Sequence, residues 1–182
     1  MTLEFCPKNA DDWELWLSKN HNLGNGIWLI QYKKGTEKYN ISYDDALDNA
    51  LCYGWIDSTI RSIDDEKYCR YFSKRNEKSV WSKTNKRKVE NLIKNGKMTK
   101  YGFEAIEIAK QNGSWYVLDN AEDGIIPDNL KKAFEGNKKA YEVFKYMKES
   151  EKKHILRFFA RIKTDVAKDR NIKKLIDDLN SK

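Results

Sequence analysis

Residues 42–61 read Ser-Tyr-Asp-Asp-Ala-Leu-Asp-Asn-Ala-Leu-Cys-Tyr-Gly-Trp-Ile-Asp-Ser-Thr-Ile-Arg, and the hydrophobic period changes in the middle of them. Up to Tyr53 the apolar positions Ala46, Leu47, Ala50 and Leu51 recur at helical spacing behind a Ser42 cap with Asp45 three residues on. Gly54 then closes the helix, because glycine takes the left-handed conformation that a helix end commonly requires. Beyond it the period drops to two: Ile56, Ser58 and Ile60 point one way, and Trp55, Asp57, Thr59 and Arg61 the other. A helix over 43–53 that runs into a strand over 55–62 is the unit on which the fold is built.

Working outward, Asp64-Asp65 marks a turn before Tyr68-Cys69-Arg70-Tyr71-Phe72, so 55–73 reads as a hairpin with its second strand at 67–73. Upstream, Gly24-Asn25-Gly26 precedes the aromatic and β-branched run Ile27-Trp28-Leu29-Ile30-Gln31-Tyr32, a strand over 27–33. Asn9 caps a helix over 10–20 whose Trp13, Trp16 and Leu17 share one face. Three strands and two helices before residue 75 predict the α+β class, with one small sheet covered by helices. Past residue 80 the periodicity is helical throughout. One basic hairpin of helices is expected, burying Val89, Leu92 and Ile93, then Phe103, Ile106 and Ala109. Residues 117–127 read as a loop-like linker, and four short helices follow in 128–182. The expected domains are therefore 1–116, with the helical hairpin, and 128–182.

The 182 residues are 40% hydrophobic and include 23 aromatic side chains (6 Trp, 10 Tyr and 7 Phe), enough for a core despite a mean hydropathy of −0.86. No apolar run approaches the ~18 residues of a membrane span, and the acidic opening lacks the pattern of a signal peptide, so a cytoplasmic address is expected. Cys6, Cys52 and Cys69 are odd in number and lack CxxC spacing, which argues against a disulfide framework or zinc knuckle. The charge is local. Between Lys67 and Lys100 stand twelve basic residues and two acids, whereas the remainder of the chain sums to −3. Such a segment is either a solvated helical surface or an electrostatic footprint for an anionic partner.

Catalytic chemistry finds little support. His21 and His154 lie far apart and no metal set is expected; Cys52 sits in an apolar Leu-Cys-Tyr context with no basic neighbour. No glycine-rich phosphate loop occurs, and the Asp44/Asp45 and Asp64/Asp65 pairs are explained by helix starts and turns. No cofactor is expected, and a non-enzymatic protein is favoured.

The most distinctive residues are Gly54-Trp55-Ile56-Asp57, Phe72, Arg75, Ser79, Trp81-Ser82 and Asn85, followed by Gly96-Lys97-Met98-Thr99, Gly102, Ile106, Ala109 and Gly113-Ser114-Trp115. In these the chain resembles the YdeI/OmpD-associated family, often labelled bacteriocin-protection proteins, with looser similarity toward the C-terminus. Family members often carry Lys-x-Pro-Glu-Thr-Arg where this chain has Lys163-Thr164-Asp165-Val166-Ala167-Lys168. The resemblance implies an α+β N-terminal region similar to YdhG-like domains and a helical C-terminal domain. It implies no established reaction or cofactor.

Two readings of the motif stay open. In one, Trp55 and Trp81 are core, Asp57 bonds backbone or pairs with Arg75, and the Ser and Asn residues cap the next helix. In the other, Arg75, Ser79, Ser82 and Asn85 bracket a helix start that holds a small anion, with Asp57 nearby and Trp55 or Trp81 stacking on a ligand ring. The expected partner is then a small anionic ligand or an acidic protein. The alternative is nucleic acid, bound by Lys74, Lys78, Lys83, Lys86, Arg87 and Lys88.

Overall fold

The computed structural model describes residues 3–181. The chain folds into two compact units: everything up to Ser79 together with Thr84–Ser114, and Val80–Lys83 together with Trp115 onward. The first unit is thus interrupted by four residues that belong to the second.

The first unit holds β1 (Glu4–Phe5), α1 (Ala10–Asn20), β2 (Ile27–Tyr32), α2 (Tyr43–Cys52), β3 (Trp55–Ser62), β4 (Lys67–Lys74), all of α3 (Lys83–Lys94) but its first residue, and α4 (Lys100–Gln111). The class is α+β, with a sheet of four strands in the order β1-β2-β4-β3. The expected three strands are present. The fourth, β1, pairs parallel with β2 and makes the sheet mixed. Two residues carry no period, so sequence pattern alone has no purchase on it.

Capping follows residue chemistry. The Asn9 side chain accepts from the Asp12 N–H at 2.9 Å, and the Ser42 hydroxyl accepts from the Asp45 N–H at 3.0 Å while donating to the Asp45 carboxylate at 2.6 Å. Trp13 Nε1 donates to the Ala46 carbonyl at 3.0 Å, locking α1 to α2. Trp13, Leu17, Ile27, Leu29, Trp55 and Phe72 are all fully buried in one cluster. Gly54 has φ +72°, and a Cβ there would lie 2.9 Å from the Tyr101 carbonyl oxygen. Both the backbone conformation and the close passage of α4 demand glycine.

The strict alternation expected along β3 fails at one place. Asp57 pairs with Phe72 and Ile60 with Arg70, so three steps along β3 match two along β4. This irregularity puts Asp57 and Ile60 on the same face and moves Arg61 to the other, where its guanidinium lies 4.7 Å from the Trp28 ring. Helix stripes are also narrower than expected: Val89, Leu92, Ile106 and Ala109 are buried, but Ile93 and Phe103 are exposed.

The second unit holds α5 (Asp119–Glu122), α6 (Asp128–Glu135), α7 (Lys138–Tyr146), α8 (Glu149–Arg161) and α9 (Asp165–Asn180). The stretch expected to be a loop contains α5, with Leu118, Ala121 and Glu122 buried. Leu130, Phe134, Phe144, Leu156, Phe159, Ile172 and Ile176 build the core. Glu122 is clamped by Arg157 through two bonds of 2.9 Å, Nε to Oε1 and Nη2 to Oε2. Such a bidentate pair satisfies a buried carboxylate geometrically as well as electrically. Among the described residues no helix is long and apolar enough to cross a membrane.

Candidate functional site

Gly54 also positions the most unusual cation of the first unit. Its carbonyl, turned by the left-handed backbone, accepts the Arg75 N–H at 2.9 Å just where β4 ends. Arg75 is 9% exposed. Burial lowers its pKa to about 10, with the negative charge of Asp57 working in the opposite direction. Holding a guanidinium so far from water is costly unless its surroundings are shaped for positive charge.

The chain after Arg75 is a fixed loop. Asn76 Oδ1 accepts the Lys78 N–H and the Asn76 carbonyl accepts the Ser79 N–H, both at 2.9 Å. The Glu77 carbonyl receives the Asn112 side-chain amide at 2.8 Å and the Ser114 hydroxyl at 3.1 Å, which ties the loop to the end of α4. Lys74, the last residue of β4, and Lys78, on the loop, stand on either side of Arg75 in the chain, both exposed and making no ion pair among the described residues.

Asp57 is held differently from the expected Arg75 pair. Its Oδ2 accepts Arg70 Nη1 at 2.9 Å and the Tyr43 hydroxyl at 3.2 Å, and the Arg70 guanidinium lies 4.1 Å from the Tyr43 ring centre. Burial raises the Tyr43 pKa, and the Asp57 charge raises it further. Arg70 and Tyr43 are the residues that sequence reading passed over. Their signal was available: β4 alternates so that Arg70 shares the helix-covered face with Phe72, and a cation placed there needs a carboxylate.

Other expected residues fall into different roles. Trp55 is fully buried and donates its Nε1–H to the His21 carbonyl at 2.9 Å, so it offers no ring face for stacking. Trp81 is 2% exposed and packs on Trp115 at 4.9 Å between ring centres, which likewise removes it as a platform. Trp81 and Ser82 belong to the second unit, whereas Asp57, Arg75, Ser79 and Asn85 belong to the first. Asn85 lies in the first turn of α3.

The basic segment is partly neutralised. Lys88 reaches Asp44 and Asp48 at 2.8 Å each; burial opposes its charge, but the two carboxylates prevail and raise its pKa. Lys83 pairs with Asp123 at 3.0 Å, and that hydrogen bond raises its pKa. Arg87 is exposed and Lys86 is half-buried. Among the described residues no group of three or more His, Cys, Asp or Glu is placed to hold a metal ion.

No curated protein and no solved structure matches the chain. Two family models do. Residues 123–182 match the family described as Bacteriocin-protection, YdeI or OmpD-Associated, and residues 5–105, more than half of the chain, match the domain of unknown function DUF8412. The YdeI/OmpD-associated match thus falls on the helical C-terminal segment, where the sequence similarity looked looser, while most of the Gly54-to-Trp115 motif residues lie within the other match. The chain belongs to the DUF8412 family through its residues 5–105 and carries, in residues 123–182, a segment of the bacteriocin-protection, YdeI or OmpD-associated family.

Proposed function

We propose that this is a non-enzymatic, cytoplasmic binding protein of the YdeI/OmpD-associated type that holds a small anionic ligand, or the acidic group of a protein partner, at Arg75 and the 76–79 loop. The observation that carries the reading is a buried guanidinium at the rim of a tethered loop whose neighbours Lys74 and Lys78 are exposed. A planar guanidinium fork recognises carboxylate or phosphate by geometry, and two exposed lysines raise the local anion concentration. The free thiols of Cys52 and Cys69, both buried, suit a reducing compartment.

The nucleic-acid reading draws on the same basic segment and is weaker. Lys83 and Lys88 spend their charge on Asp123, Asp44 and Asp48. Titration of single-stranded and duplex oligonucleotides at two salt concentrations tests the choice. Little binding near physiological salt is expected. Tight binding with a slope of about −0.9 per neutralised phosphate in log affinity against log salt overturns the local-site reading in favour of nucleic acid.

A further inference from the structure

The second unit has an opening into its own core. Between the α5–α6 connection, α7 and α8 lies a cleft of about 210 Å³ whose floor is Ile126, Phe144 and Leu156, the last two members of the buried cluster. Tyr141 forms one wall, against Phe134 at 5.6 Å between ring centres. The rim is cationic: Lys145, Lys152 and Lys153 line it, with Glu149 as the one lining carboxylate. Glu149 is already bound to Lys152 at 2.9 Å, and Lys145 is only loosely paired, 3.7 Å from Glu142. Lys153 makes no ion pair among the described residues, and the nearby buried carboxylate, Glu122, is taken by Arg157.

An apolar, partly aromatic floor beneath an excess of positive charge selects molecules with both characters. A cleft of this volume suits an apolar part of one or two rings. We propose that this cleft is a binding site for a compact aromatic acid, its ring on Phe144, Leu156 and Ile126 and its carboxylate toward Lys145 and Lys153. The proposal stands on residues of the second unit alone and is independent of the Arg75 site.

The test is a titration of the full chain with 2-naphthoate, followed by amide chemical shifts, on wild type and on the Lys145→Gln/Lys153→Gln double variant. Neutral 2-naphthamide serves as the charge control. Saturable shifts at residues 124–126, 141–145 and 149–156 are expected, with affinity about tenfold weaker in the double variant, the size of two partly exposed ion pairs. Naphthamide should bind more weakly than naphthoate and be indifferent to the variant. Absence of saturable shifts, equal naphthoate affinity in the two proteins, or equal affinity for acid and amide overturns the proposal. Shifts confined to 73–79 overturn it as well, and would place the acid at the Arg75 loop. Both lysines lie at the rim, so the folded amide spectrum of the variant verifies that weaker binding is not lost structure.

Discussion

Replacing Trp55 separates a core residue from a ligand platform. The ring is fully buried among Trp13, Trp16 and Phe72, meets Trp16 edge-on at 5.8 Å, and its Nε1–H is the donor to the His21 carbonyl. Trp55→Ala removes the whole ring from a closed core and should cost about 3–5 kcal/mol. Trp55→Phe keeps most of the apolar volume but deletes the donor, leaving the His21 carbonyl at the end of α1 without that bond. The lost, part-buried hydrogen bond costs about 0.5–1.5 kcal/mol and the lost volume roughly 1 more, so about 1.5–2.5 kcal/mol is expected. Urea unfolding followed by far-UV circular dichroism measures both, fitted with separate transitions if the two units unfold independently. A loss below about 1 kcal/mol for Trp55→Ala would refute the burial argument and restore the ring as a recognition surface.

Two further outcomes follow from the charges and thiols. Arg157 holds the Glu122 carboxyl below its ordinary pKa, so this pair adds stability above the unfolded-state value of about 4.3 and loses it as pH falls through the depressed folded value. Glu122→Gln should therefore lower stability by roughly 1–3 kcal/mol at neutral pH and by progressively less as acid protonates the carboxyl; a pH-independent loss would contradict the assignment. Among the three thiols, Cys6 is exposed, while Cys52 and Cys69 are buried and burial pushes Cys52 up to about 12. Titration with a disulfide reagent at mildly alkaline pH should show one fast thiol and two that react only on unfolding, and three equal rates would contradict the packing.

The helix-to-strand switch at Gly54 was legible because two different periods meet at a residue that only the turn explains. Less was legible wherever geometry depended on partners. β1 is too short to show a period, and α5 is four residues whose burial comes from the second unit's packing. The irregularity in β3 sets Ile60 opposite Arg70 and turns Arg61 to the other face, a shift that a regular period of two does not anticipate. Likewise Phe103 and Ile93 fit an apolar stripe, yet exposure is decided by how wide a face the neighbouring elements cover. Of the candidate site, Arg75 and its loop were visible as a cluster of polar residues near tryptophans. The tryptophans' fate was not, since an aromatic beside a polar loop reads equally as platform or as core until its depth is known.

The central claim is a local anion site at Arg75. It is tested most directly by titrating inorganic phosphate into isotopically labelled protein and following amide shifts in the wild type and in Arg75→Lys, which keeps the charge and removes the planar fork. The account predicts saturable shifts centred on residues 73–79 in the wild type, weakened about tenfold or more in the variant while its folded spectrum is preserved. Shifts scattered over the lysines of α3, or a response unchanged by Arg75→Lys, would contradict it.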